Sequence, residues 1–137
     1  IARTSFKHIK KGDIVNLERS IKASTEIGGH LMSGHVHFTA KVKKIIDKKN
    51  TRDMQISLAK KYSDYVMEKG YIGINGCSLT IGKVNTNGFN IHLIPETLDI
   101  TNLGQLSKGD LVNIEIDQNT ITVVNTVKKT LATKISS

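Results

Sequence analysis

Apolar and polar positions alternate in short runs along most of the chain. In HVHFTAKV (35–42), Val36, Phe38, Ala40 and Val42 share one side, the period-two pattern of a half-buried strand. A polar turn, DKKNTRD (47–53), leads to a second strand, MQISLA (54–59). YIGI and CSLTIGKV flank Asn75-Gly76, a strong hairpin signal because so tight a turn needs residues that accept positive φ. NTNG (85–88) makes the next turn, before FNIHLIP (89–95). KKYSDYVMEKG (60–70) reads as a short helix closed by glycine, with Tyr62, Tyr65 and Val66 inward.

The last strand is found through a repeat. TSFKHIKKGDIVNLE (4–18) aligns with TNLGQLSKGDLVNIE (101–115) at a spacing of 97, with seven of fifteen positions identical. The shared KGDxVNxE core reads as a turn and then a strand with alternating faces. Six strands and one short helix predict an all-β fold, a closed six-stranded antiparallel Greek-key barrel over roughly residues 33–116. One closing strand appears twice while the material between appears once. Residues 1–18 are therefore read as the tail of a preceding barrel, 19–120 as the complete barrel and 121–137 as a C-terminal helix.

That helix rests on a change of period. Val124, Val127, Leu131 and Ile135 are spaced 3, 4 and 4 apart, as on one helix face. The stripe is narrow and rich in β-branched residues, so it needs a surface to pack on. Its own barrel and a neighbouring subunit are both open.

Composition narrows the classes. A chain of 137 residues is long enough for one domain with its own core, and with three Phe, three Tyr and no Trp that core is aliphatic. The single cysteine, Cys77, has no internal disulfide partner. No run approaches the roughly 20 apolar residues of a membrane span, and no signal-peptide pattern opens the chain. A cytoplasmic protein without a membrane partner is the simplest expectation. The net charge of +8 raises nucleic acid as a partner, but much of it falls in KVKKIIDKKNTR (41–52) and TVKKTLATK (126–134), which read as solvated faces. A single-strand binder would also want exposed aromatic platforms, so nucleic acid is not expected.

The densest candidate chemistry is EIGGHLMSGHVHF (26–38), which holds His30, His35 and His37 of the chain's five histidines. A zinc site would need three ligands in a geometry this spacing does not impose, and no cysteine pair accompanies them. Gly28, Gly29, Ser33 and Gly34 instead permit close backbone approach to a ligand or another chain. Ser78 and Thr80 share one strand face, opposite Cys77 and Leu79; two hydroxyls beside a tight turn can line a polar pocket wall, though such residues are more often a hydrogen-bonded strand pair. No phosphate-cradling glycine motif is present. The residues alone reach a basic β-barrel with a polar, glycine-lined pocket.

IGGHLMSGHV, GINGCSLTIG, HLIPETLDITNLG and KGDLVNIEID together closely resemble the C-terminal barrel of riboflavin synthase, alpha-chain type, over nearly the whole chain. That family has two similar barrels in one chain, which accounts for the repeat; the first barrel is what this sequence lacks. The resemblance implies that two molecules of 6,7-dimethyl-8-ribityllumazine exchange a four-carbon unit, giving riboflavin and a ribitylamino-pyrimidinedione. It implies no metal and no other cofactor, the lumazine ring acting as electron sink. It implies a homotrimer joined through C-terminal helices, with each site between the N-terminal barrel of one subunit and the C-terminal barrel of the next.

Carried over by position, the substrate-binding residues are Gly34, His35, Val36, Lys69, Ser78, Leu79, Thr80, Ile94, Pro95, Glu96, Thr97, Leu98 and Asp99. Ser78, His35 and Asp117 are assigned the catalytic polar roles, around proton transfer and attack at the ring. A non-catalytic lumazine or flavin carrier of the same fold is the alternative.

Overall fold

A computed structural model describes residues 4–135, so the outer ends of the first and last expected segments (1–3 and 136–137) lie outside the described residues. The strands are β1 (Phe38–Lys48), β2 (Thr51–Ser57), β3 (Tyr71–Ile74), β4 (Cys77–Asn85), β5 (Gly88–Leu93) and β6 (Leu111–Ile116). They close into a barrel in the order β1-β2-β5-β4-β3-β6, every pair antiparallel. The chain leaves β2, passes over two strand positions to lay down β3, and returns through β4 and β5, a Greek-key path. β6 then pairs with both β1 and β3, so the barrel has no open edge.

Alternation explains the core. Phe38, Ala40 and Val42, Met54 and Ile56, Ile72 and Ile74, Leu79 and Ile81, Phe89, Ile91 and Leu93, and Val112, Ile114 and Ile116 are all buried. The turn expected over 47–53 shrinks, because β1 runs to Lys48 and β2 starts at Thr51. Arg52 sits there for a reason other than solvent. Arg52 donates from Nη1 to the carbonyls of Gly104 and Leu106 at 2.7 and 3.0 Å, tying β2 to the segment before β6.

The short helix over Lys60–Tyr65 is a 3-10 turn; Val66 is buried behind it and Tyr62 stacks on Phe38 with centroids 4.0 Å apart. A further short helix, α1 (Pro95–Ile100), follows β5 and carries Pro95 in its first turn, where a missing N–H costs nothing. It is too short for an apolar period to reveal, and Ile100 points to solvent.

The two repeat copies share their first ten residues in structure as well as in sequence. Ser5–His8 and Asn102–Gln105 are both 3-10 turns. Lys10 N donates to Asp13 Oδ2 and Ser107 N to Asp110 Oδ2, each at 2.8 Å. Gly12 and Gly109 both hold left-handed φ, at 101° and 99°. The copies then diverge: 111–116 becomes β6, whereas 14–18 form no strand. A strand needs a ladder partner, and among the described residues 14–18 have none.

The C-terminal helix is α2 (Gln118–Ile135). Ile121 packs against the core, Tyr65 Oη donates to Asn125 Oδ1 at 2.7 Å, and Lys128 pairs with Asp64 at 2.7 Å. Past Val124 the stripe leaves the barrel, with Val127 52%, Leu131 55% and Ile135 86% exposed. No described helix is long and apolar enough to cross a membrane.

Candidate functional site

Strand register lines up one polar row on the outside of the barrel. Gly73 of β3 stands opposite Ser78 of β4 on one side and Glu115 of β6 on the other. Their neighbours Ile72, Ile74, Leu79, Ile114 and Ile116 point inward, so this row points out. With no side chain at its centre, Gly73 leaves a trough. A Cβ there would lie 3.0 Å from Met32 Sδ, because the segment 29–34 is laid across it.

Both ends of that segment are fastened. At the Ser78 end, His30 N donates to Ser78 Oγ at 3.1 Å, and His30 Nδ1 lies 2.6 Å from the same oxygen. A Cβ on Gly29 would sit 2.5 Å from Ser78 Oγ, so the approach requires glycine. At the other end, Glu115 Oε1 accepts from Ser33 N at 2.7 Å, Ser33 Oγ at 3.0 Å and Gly34 N at 3.2 Å. Glu115 is 7% exposed; a buried carboxylate needs such donors. Gly34 itself has φ 77°, which favours glycine.

The three histidines diverge. His30 faces Ser78 and stacks on Tyr71 at 5.2 Å, and its Nε2 is buried with no hydrogen-bond partner among the described residues. His35 is exposed, its Nδ1 2.9 Å from Ser33 Oγ. Since that hydroxyl donates to Glu115, it is His35 Nδ1 that carries the proton. His37 Nδ1 accepts from Ile116 N at 3.1 Å. Among the described residues no three His, Cys, Asp or Glu side chains gather as metal ligands do.

Asp117 follows β6 and caps α2, its Oδ2 accepting from Thr120 N and Thr120 Oγ1 at 2.9 Å each. Burial works against ionisation there. Hydrogen bonds from Thr120 and Asn119 and the nearby His30 outweigh it and hold the carboxyl below the ordinary aspartate range. Cys77 is the reverse case: burial, then the charge of Glu18, pushes its thiol up, away from the reactive thiolate.

Of the residues carried over from the resemblance, strand register sets one group level with the same end of the β4–β5 pair. The β4–β5 ladder covers Ile81–Asn85 of β4. Ser78, Leu79 and Thr80 therefore lie in the half of β4 that is laddered to β3 alone, alongside the exit of β5. Ile94 and α1, which holds Pro95, Glu96, Thr97, Leu98 and Asp99, begin at that exit. Lys69 joins them, its N–H donating to Ile81 O at 2.9 Å in a left-handed turn of φ 69°. Gly34, His35 and Val36 stand apart, reached across β3 through Glu115. Two clefts of about 590 and 360 Å³ occur elsewhere, lined by residues around Asn113 and around Tyr62, and neither takes in Ser78, Thr80 or Lys69.

Glu115 and Tyr71 escaped the sequence reading. The one usable signal for Glu115 was its recurrence as Glu18 at the end of both repeat copies; Tyr71 gave none, because only the fold lays His30 against it.

Residues 33–117 match the family described as Lumazine binding domain. Riboflavin synthase of Escherichia coli (strain K12) is 48% identical over 132 residues, covering 96% of this chain and 62% of that protein. Riboflavin synthase of Chlamydia pneumoniae is 45% identical over 132 residues, covering 96% and 64%. The chain thus spans less than two thirds of the length of these relatives. Among solved structures, LumP complexed with 6,7-dimethyl-8-(1'-D-ribityl) lumazine aligns with a TM-score of 0.74 at 29% identity, over 84% of this chain and 62% of that one. LumP complexed with riboflavin aligns at 0.76 and 29%, over 85% and 63%. With the barrel, its closing strand and most of the site described above inside the matched region, this chain belongs to the lumazine-binding domain family.

Proposed function

We propose that this chain is the C-terminal barrel of a riboflavin synthase and binds one 6,7-dimethyl-8-ribityllumazine. The carrying observation is the 48% identity to the Escherichia coli enzyme across 96% of the chain, supported by a fold that holds lumazine in LumP. The heterocycle lies along residues 78–80, where β4 has its ladder on one side only, between Lys69 and the segment 94–99. The reaction joins two such molecules, the second held by the preceding barrel of a neighbouring subunit whose own tail corresponds to residues 1–18. Residues 19–120 then form the lumazine-binding barrel and 121–137 the C-terminal helix, through whose exposed stripe the cytoplasmic enzyme assembles as a trimer. Ser78, His35 and Asp117 supply polar groups for proton transfer and attack, and His30, seated on Ser78, orients that hydroxyl.

Titration of the chain with 6,7-dimethyl-8-ribityllumazine, followed by ligand fluorescence, is expected to saturate. Thr80→Val should weaken binding by about 1 kcal/mol, roughly fivefold, for one lost hydrogen bond. Saturable zinc binding without any flavin or lumazine binding would overturn the pocket assignment.

Deleting residues 122–137 is expected to lower the mass measured by light scattering. An unchanged mass would return Val127, Leu131 and Ile135 to a role within one chain.

A second reading, a non-catalytic carrier, is favoured by one observation, the similarity to LumP in complex with riboflavin. Formation of riboflavin from lumazine by the longer natural polypeptide decides between them.

A further inference from the structure

The hydrogen bonds around His30 fix which way the proton of Ser78 points. Ser78 Oγ accepts from His30 N at 3.1 Å, and His30 Nδ1 lies 2.6 Å from the same oxygen. Two arrangements satisfy the second contact. Either Ser78 donates to a bare Nδ1 and the neutral ring carries its proton on Nε2, or Nδ1–H donates to Ser78 and Nε2 is bare. His30 Nε2 decides between them. It is buried without a hydrogen bond, the one such side-chain atom among the described residues. The nearby Asp117 carboxylate does not serve it, its Oδ2 being occupied by Thr120. A buried N–H left without an acceptor is rarer in proteins than a buried acceptor left without a donor. The proton therefore sits on Nδ1. Ser78 Oγ then accepts twice from one residue and has only its own hydroxyl proton left to offer.

Tyr71 screens that imidazole from water. Its ring stacks on the ring of His30, with centroids 5.2 Å apart and planes 18° from parallel. In the β3–β4 ladder Tyr71 stands opposite Thr80, as Gly73 stands opposite Ser78. Ile72, Leu79 and Ile81 point inward, so Tyr71, Ser78 and Thr80 share the outer face. Tyr71 is 49% exposed and takes no part in the barrel core. What it covers is His30.

We propose that Tyr71 is a positioning residue that holds His30 in its Nδ1–H form and so turns the Ser78 hydroxyl outward, as a hydrogen-bond donor to the bound heterocycle. The atom it recognises is an acceptor, a carbonyl oxygen or a ring nitrogen. This rests on the lumazine site given under Proposed function and narrows the part Ser78 plays there. A donor held in place by two bonds from His30 stabilises negative charge that develops on the atom it faces.

The test reads the five imidazoles of the nitrogen-labelled 137-residue chain by long-range proton–nitrogen NMR, the His30 signals being identified by their loss in His30→Asn. Without ligand, His30 is expected to carry its proton on Nδ1, and Tyr71→Phe should keep both that pattern and the affinity for lumazine. Tyr71→Leu opens Nε2 to water and removes the penalty on the other tautomer. The Nε2–H form should then appear, and lumazine affinity should fall about fivefold, as for one lost hydrogen bond. A proton on Nε2 in the unsubstituted chain overturns the proposal. So does an Nδ1–H pattern that survives unchanged in Tyr71→Leu, or an affinity that stays the same when the tautomer changes. If the unsubstituted chain binds no lumazine, the reading of the site fails and this proposal with it.

Discussion

The 137-residue chain on its own is expected to convert 6,7-dimethyl-8-ribityllumazine to riboflavin slowly or not at all. Under the proposed function two flat heterocycles have to meet face to face, with one held by each barrel. Orientation of two reactants is worth on the order of 7–11 kcal/mol of barrier. A single polar contact is worth less: Ser78→Ala or His35→Ala in the longer polypeptide should cost about 3 kcal/mol at most. On that proposal, bringing up a second barrel should matter more than any one hydroxyl. Incubating the chain with lumazine, with and without the preceding barrel supplied in trans, and following riboflavin absorbance checks this. Full turnover by the chain alone would mean that two copies of this barrel suffice.

Replacing Glu115 by alanine should release the segment 29–34 from the barrel. Three donors converge on Glu115 Oε1, and hydrogen bonds to a charged group contribute about 1.5–3 kcal/mol each. Since the three share one oxygen, the loss is set at about 3 kcal/mol, roughly 10 °C in Tm for a domain of this size. Met32 would lift from the trough at Gly73, and His30 would lose its seat on Ser78, so lumazine affinity should fall as well. Glu115→Gln keeps an acceptor at the same place and should do much less harm. Thermal unfolding and backbone amide exchange at Ser33 and Gly34 read the effect directly. Unchanged protection at both amides in Glu115→Ala would show that the segment is held by something else.

The barrel was legible because period-two patterning survives in every strand that has one dry and one wet face. Asn75-Gly76 stood out for a related reason: left-handed backbone, φ 49° and 82° here, restricts which residues can form the turn. Element limits were less legible. Lys43 and Lys44 continue β1 through a register shift that follows Val42, and Arg52 lies in β2 because carbonyls from across the barrel receive it. Polar residues with tertiary partners look the same in sequence as polar residues in a turn.

The site divides along the same line. Sequence alone determined the strands, the two hydroxyls of Ser78 and Thr80 on one face, the glycine-rich histidine segment and the helical period of the tail. All of these follow from local periodicity and backbone sterics. Tertiary structure decided which groups meet: His30 with Ser78 and Tyr71, Ser33 and Gly34 with Glu115, Asp117 with the start of α2, Asn16 with Asn75. Apart from Asp117, which caps the helix that follows it, these partners stand up to 82 residues apart, and their pairing depends on strand order and register. A Greek-key barrel sets both only when its last strand closes between its first and third.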